Sequence, residues 1–353
     1  MGQLTSAGGL LSGNPPSGKG AVFQHNHLEP VFMSHTDVHV GRNGWLFLIG
    51  GRNRVITQYR RNVAWWWRLR RWRQLIEARA ARCERLSVAF VQVVAPEKLT
   101  ILHHECTEPL VDPALAPAVR LAALMAQSPA SSHYVDLVRL LSEGIRNEEL
   151  FLRTDTHWNY KGCYLAYRRI CAALGVKPRD DLLDRPHQEF NEPMALGLKL
   201  TPHVPERFRV YCAIRDATRT SVNELVTRFF ANGGKGSVRG SQAVYENPSP
   251  QADPRRILVF GDSYSNFDPS QLTGMFADTF RELHFVWSSS IDWGFVEEVK
   301  PDILICEIAE RFLRRIPDDK FDVRATLAAR LREKDGSGAR VCGLISKPTS
   351  GQT

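Results

Sequence analysis

The run Val88-Ala89-Phe90-Val91-Gln92-Val93-Val94 constrains this chain more than any other stretch. It is apolar almost throughout, with none of the alternation of a half-solvated strand, and it is short for a helix. A strand of this kind suits the middle of a parallel sheet covered on both faces. Arg256-Ile257-Leu258-Val259-Phe260 and Ile303-Leu304-Ile305-Cys306-Glu307 have the same character. Shorter strands are expected at 133–137, 283–287 and 340–345. Helical patterns cover 57–84, 114–127, 160–174, 291–299 and 321–334, with a further helix ending near Glu143. Strands alternating with helices predict an α/β domain with a central, mostly parallel sheet.

The chain has 353 residues, which suits one large domain or one domain with an insertion. An apolar share of 43% supplies a real core and excludes wholesale disorder. We expect a Gly/Ser/Pro-rich leader at 1–30, a domain over 31–347 with a loop-rich insertion around 176–252, and a tail at 348–353. His39 to Leu48 reads as a hairpin, because Asn43-Gly44 is a strong tight-turn dipeptide.

The formal net charge is +8, which favours an acidic partner: nucleic acid, an anionic membrane face or an acidic polysaccharide. The excess is local. Arg60, Arg61, Arg68, Arg70, Arg71 and Arg73 crowd one helical pattern beside four tryptophans, Trp65, Trp66, Trp67 and Trp72. That reads as a patch, not as a uniformly basic nucleic-acid binder. The helix is either amphipathic, with arginine stems covering apolar surface, or turned toward a membrane or polyanion.

Nothing in the sequence calls for a cofactor or a metal. Gly233-Gly234-Lys235-Gly236 lacks the spacing and the Lys-Ser/Thr ending of a phosphate loop. His103-His104-Glu105-Cys106 fits no standard metal site. The seven cysteines are scattered with no C-x-x-C pair, and read as small buried hydrophobes in a reducing compartment.

The chemistry is read from two segments. Ser263 in Gly261-Asp262-Ser263 follows an apolar strand, so its hydroxyl is placed at the carboxyl edge of the sheet, where open α/β sheets hold ligands. Asp155-Thr156-His157-Trp158 precedes a helix that Asn159 caps. A nucleophilic serine needs a base, an orienting group and donors for the oxyanion. His157 is the candidate base and Asp155 the candidate orienter. The N–H of Ser263 or Tyr264 is a candidate oxyanion donor, and Tyr264 and Asn266 are candidate lining residues. Asp262 shapes the turn or accepts from backbone N–H groups. Trp158 packs beside the histidine and, with Arg311, is a candidate substrate-binding residue. Glu310-Arg311 reads as a buried ion pair or as a sugar contact.

Five segments in this order resemble the SGNH-hydrolase-like domain of the alginate O-acetyltransferase family (AlgX and AlgJ, the DHHW group). They are Gly41-Arg42-Asn43-Gly44-Trp45-Leu46-Phe47, Ala95-Pro96-Glu97-Lys98, Thr154-Asp155-Thr156-His157-Trp158-Asn159 with Gly162, Phe260-Gly261-Asp262-Ser263-Tyr264-Ser265, and Lys300-Pro301-Asp302 through Glu307-Ile308-Ala309-Glu310-Arg311-Phe312-Leu313. The resemblance implies an SGNH-like three-layer fold with a circularly rearranged motif order, His and Asp preceding Ser. It implies a triad of Ser263 as nucleophile, His157 as base and Asp155 as orienter. The implied activity is acetyl transfer, through an acetyl-serine, to hydroxyls of a cell-surface or exported polysaccharide, anionic if the basic patch meets it. A membrane-bound partner supplies the acetyl group in such systems. An acetylesterase for carbohydrates or small esters would use the same triad, and a catalytically silent glycan-binding protein is the remaining alternative. The family works in the periplasm. The sequence shows neither a signal-peptide pattern nor an apolar run of membrane-spanning length, which by itself points to the cytoplasm.

Overall fold

The computed structural model describes residues 36–332, and all of them fall in one compact unit. The expected leader at 1–30, the strand at 340–345 and the tail at 348–353 lie outside the described residues. At the start, β1 (Val38–Val40) pairs antiparallel with β2 (Leu46–Leu48). The turn between them puts Asn43 at φ 53° and Gly44 at φ 79°, which is why this dipeptide sits here.

Helix α1 (Val63–Arg85) begins where the Asn62 side chain accepts from the Trp65 N–H at 2.9 Å. Trp65, Leu69, Trp72, Ile76, Ala80 and Cys83 recur every three or four residues and are all buried. The same face buries Arg79, whose guanidinium forks onto Asp319 at 2.7 and 2.8 Å and also reaches Gln92 and the Ser289 carbonyl. The chain then turns back into β3 (Ala89–Ala95).

Seven strands form the main sheet in the order β4-β3-β11-β9-β10-β8-β7. Here β4 is Tyr134–Val135, β7 Thr218–Val222, β8 Gln242–Glu246, β9 Asp253–Gly261, β10 Phe280–Trp287 and β11 Ile303–Ala309. From β4 to β10 the neighbours run parallel, and β8 runs against both β10 and β7. The alternation of strand side chains divides the core into two layers. Val91, Val93, Ile257, Val259 and Ile305 point to one face, under α4 (Val138–Gly144), α5 (Tyr160–Ala173) and α7 (Leu272–Ala277). Phe90, Val94, Leu258, Phe260 and Leu304 point to the other, under α1, α3 (Pro117–Met125) and α8 (Trp293–Val299). The result is a three-layer α/β/α fold.

Residues 176–252 carry regular structure of their own. β5 (His187–Pro193) and β6 (Pro205–Tyr211) form a separate antiparallel ribbon, and β7, α6 (Glu224–Ala231) and β8 extend the main sheet. The short helix α2 (Lys98–Ile101) follows β3, and α9 (Val323–Arg332) packs on α6.

Register sets the position of the site. Ala309 of β11 lies opposite Ala95 of β3, and Cys306 lies opposite Phe260 of β9. Three strands therefore end at one edge and deliver Glu97-Lys98, Asp262-Ser263 and Glu310-Arg311 side by side.

Candidate active site

Ser263 sits two residues past the end of β9 in a tight turn. The carboxylate of Asp262 builds that turn: Oδ1 accepts from the Tyr264 N–H at 3.0 Å and Oδ2 from the Ala309 N–H at 2.7 Å. The turn is thereby tied to the end of β11. Beneath it Glu307 accepts from the Asp262 N–H at 3.1 Å and from the Ser265 hydroxyl at 2.9 Å. Gly261 is required here, since a Cβ would lie 2.8 Å from Ser265 Oγ and 2.9 Å from its Cβ. Burial raises the pKa of both Asp262 and Glu307, and the nearby Asp262 carboxyl raises that of Glu307 further. Asn266 takes the left-handed conformation at φ 59° and closes the turn through its N–H on the Asp262 carbonyl, 2.8 Å away.

Asp155 and His157 come from the loop that an antiparallel bridge between Phe151 and Trp158 closes, just before α5. His157 Nε2 lies 2.7 Å from Ser263 Oγ, and Nδ1 lies 2.5 Å from Asp155 Oδ1. Asp155 is fully buried. Its Oδ1 also accepts from the His157 N–H at 3.0 Å and its Oδ2 from the Ala195 N–H at 3.1 Å. Burial alone would raise its pKa. The charge of His157 and these hydrogen bonds outweigh that and hold the carboxyl well below the ordinary carboxylate range.

The loop is fixed by two side chains for which the sequence offered no role. Lys98 is buried, and its ammonium donates to the carbonyls of Leu152, Arg153 and Asp155 at 2.8, 2.8 and 2.6 Å. Burial lowers its pKa to about 7, against the raising charges of Asp155, Glu206 and Glu97. Glu206 of β6 accepts from the N–H groups of Arg153 and Thr154 and from the Thr154 hydroxyl, at 2.7–2.9 Å. Lys98 stood inside the Pro-x-Lys segment, and that was its one local signal.

The other candidates are placed as follows. The two polar groups of Tyr264 are engaged: its N–H is held by Asp262, and its hydroxyl donates to the Thr156 carbonyl at 2.7 Å. Its fully buried ring packs against His157 and edge-on against Trp158, so the structure does not leave Tyr264 free to line an oxyanion hole. Trp158 is likewise fully buried, with Nε1 donating to Gln271 at 2.9 Å, and lies under the site instead of facing a substrate. Arg311 does not pair with its neighbour Glu310. Its Nε lies 2.8 Å from Glu97 Oε1, and its other arm reaches Thr156 Oγ1 and the Tyr264 hydroxyl, both at 3.3 Å. Glu310 instead accepts from the Glu97 and Ala118 N–H groups and the Thr100 hydroxyl, and burial raises its pKa to about 7. Among the described residues no acceptor meets the Ser263 N–H, which leaves it available to a developing oxyanion. Ser263 itself is half-buried, so its hydroxyl is reachable from outside.

Chemically, the arrangement holds a hydroxyl against an imidazole whose far nitrogen is locked by a buried carboxylate. This can deprotonate the hydroxyl as it attacks a carbonyl carbon.

Comparison with known proteins gives a family and a fold. The family described as SGNH hydrolase-like domain, acetyltransferase AlgX, matches residues 38–282. Bacillus cereus PatB1 superposes with a TM-score of 0.53 at 14% identity, over 80% of this chain and 98% of that one. The O-acetyltransferase domain of Pseudomonas putida AlgJ superposes with a TM-score of 0.50 at 14% identity, over 83% and 99%. A DHHW family protein from Eubacterium siraeum gives 0.50 at 17% identity, over 65% and 80%. At these identities the likeness is one of fold. No curated protein matches the chain by sequence.

Proposed function

This chain belongs to the SGNH hydrolase-like acetyltransferase family of AlgX, and from that premise we propose that it is a serine-dependent O-acetyltransferase acting on hydroxyls of a cell-surface or exported polysaccharide. The observation that carries the reading is the unbroken chain from Asp155 through His157 to Ser263, at 2.5 and 2.7 Å. In the first half-reaction Ser263 Oγ forms a bond to the acetyl carbon while His157 Nε2 takes the hydroxyl proton. The donor's oxygen leaves with that proton, and the acetyl group stays on Ser263. In the second half-reaction a sugar hydroxyl gives its proton to His157 and attacks the acetyl carbon, the bond to Oγ breaks, and His157 returns the proton to Oγ. Asp155 stabilises the imidazolium in both halves, and the Ser263 N–H supports the oxyanion. The acetyl group would come from a membrane-bound partner, as the family resemblance implies.

The half-buried hydroxyl supports a second reading, because water has the same approach as a sugar. The protein would then be an acetylesterase. One experiment separates the outcomes. The full chain is incubated with an activated acetyl ester, with and without an oligosaccharide acceptor. Acetate release, an acetyl group on the peptide containing Ser263, and loss of both in Ser263→Ala are expected. Acetylated oligosaccharide supports transfer, and free acetate alone supports hydrolysis. Release unchanged in Ser263→Ala removes the triad from both readings.

A further inference from the structure

We propose that the first turns of α1 form a contact surface for an anionic phospholipid bilayer, at the same edge of the sheet as Ser263. Val63, Trp66 and Trp67 are 72, 47 and 58% exposed and stand on adjacent turns. Large apolar side chains gathered in this way mark an interaction surface. Around them Arg60, Arg61, Arg70 and Arg71 are exposed, and among the described residues no carboxylate pairs with any of them. The sequence holds no aspartate or glutamate from residue 38 to residue 76. Tryptophan set among arginines is the composition of a protein surface that enters the headgroup layer, where the ring is half-solvated and the guanidinium meets phosphate.

The detail of the patch favours lipid over a polysaccharide. A sugar needs an open aromatic face. The Trp66 face is covered by the Arg70 guanidinium, 4.0 Å from the ring centroid, and Trp66 and Trp67 meet edge-on at 4.7 Å. Val63 offers a sugar no hydrogen bond, but it gains by leaving water for acyl chains.

Its position follows from the connection. α1 packs on β3 and leads into it through residues 86–88, so the first turn of the helix lies at the carboxyl end of the strand. Gln58, just before α1, donates to the Arg311 carbonyl at 3.0 Å, and Trp72 donates to the Leu313 carbonyl at 2.8 Å. The patch is thereby bonded to the turn that carries Arg311. A bilayer on this surface would have the active-site edge of the sheet beside it. Vesicle binding is measured without turnover, so the inference stands or falls apart from the acyl-transfer reading.

The test is flotation of the full chain with vesicles of phosphatidylglycerol in phosphatidylcholine, and of phosphatidylcholine alone. Expected are binding to the anionic vesicles, at least about tenfold weaker binding to the neutral ones, and weakening in high salt. Trp66→Ala with Trp67→Ala should weaken binding by about tenfold or more. Replacing Arg60, Arg61, Arg70 and Arg71 by Gln should weaken it by roughly a hundredfold. Val63→Ser, at the most exposed position, should reduce binding even if the double tryptophan variant fails to fold. Each folded variant should keep wild-type cleavage of a soluble acetyl ester. No flotation at low salt overturns the proposal, as does unaltered flotation of the variants. Oligouronate binding lost in the arginine variant without vesicle binding assigns the patch to a glycan. Self-association lost in the tryptophan variant assigns it to a second copy. Either result also overturns the proposal.

Discussion

Asp155→Asn tests the site at its most constrained atom. The carboxylate uses Oδ1 for two donors, the His157 ring and the His157 N–H, and Oδ2 for a third, the Ala195 N–H. An amide has one oxygen for these two positions. If the oxygen keeps the Oδ1 place, the NH2 group faces the Ala195 N–H at 3.1 Å, donor against donor. That loses one buried hydrogen bond, about 1–3 kcal/mol of stability. If the amide turns over, its NH2 group points at Nδ1, the ring proton moves to Nε2, and the imidazole donates toward Ser263 instead of accepting. Both arrangements remove the charge that stabilises the imidazolium. The expected loss in kcat for an activated acetyl ester is roughly 10³–10⁴-fold. Transition-state stabilisation thus falls by about 4–5.5 kcal/mol, more than the stability cost. The assay is ester cleavage beside a urea titration of the same sample. A variant that keeps more than a tenth of wild-type kcat while Ser263→Ala is inactive would refute the assignment of Asp155 as orienter.

Lys98→Met should leave the Leu152 and Asp155 carbonyls without a donor and the Arg153 carbonyl with the Leu46 N–H alone, raising amide hydrogen exchange across 152–158 and lowering kcat by about tenfold or more; unchanged exchange means another contact holds the loop. Gly261→Ala should cost about 1–3 kcal/mol by urea titration, since the new methyl group overlaps Ser265, and a neutral result would show that the turn can open. The pH dependence of stability has a definite sign. Glu310 is raised to about 7 by burial, so the folded state binds its proton more tightly than the unfolded state, whose carboxyl titrates near about 4.5. Its contribution is fully present below about pH 4.5 and is lost as pH rises through about 7, a fall of up to about 3 kcal/mol. Glu97, Asp262 and Glu307 are shifted the same way, so a flat urea midpoint between pH 5 and 8 would contradict the burial argument.

The sheet was legible where burial is two-sided. β3, β9 and β11 announce themselves because Phe90–Ala95, Ile257–Gly261 and Ile303–Ala309 are buried at every position, and α5 because Asn159 caps an amphipathic run. The contact of Asp155, His157 and Ser263 was legible for a related reason: a strand end and a capped helix start are places where backbone geometry aims a side chain. The ribbon of β5 and β6 was not legible. His187-Gln188-Glu189-Phe190-Asn191-Glu192-Pro193 is polar on both faces, and pairing holds it: Phe190 stacks on Phe208, and Glu189 meets Arg209. Residues from this part of the chain nonetheless complete the site, since the Ala195 N–H and the Glu206 carboxylate both bind the Asp155 loop. A backbone N–H leaves no mark in a sequence. Arg311 was similarly misleading, because its neighbour Glu310 looked like its partner until the register of β11 on β3 brought Glu97 closer.

Asp155 and His157 belong to one short loop, while Ser263 belongs to the turn that ends β9. The imidazole and its carboxylate therefore travel as a single cartridge, and only the distance from His157 to Ser263 is set by how large parts of the molecule pack. Damage to the core should show itself unevenly. A loosened protein would keep the shared proton between His157 and Asp155, visible far downfield in a proton spectrum, after the serine had drifted out of reach. Such a molecule would still have a primed imidazole with nothing to deprotonate, and small nucleophiles added from solution could take the place of the missing hydroxyl.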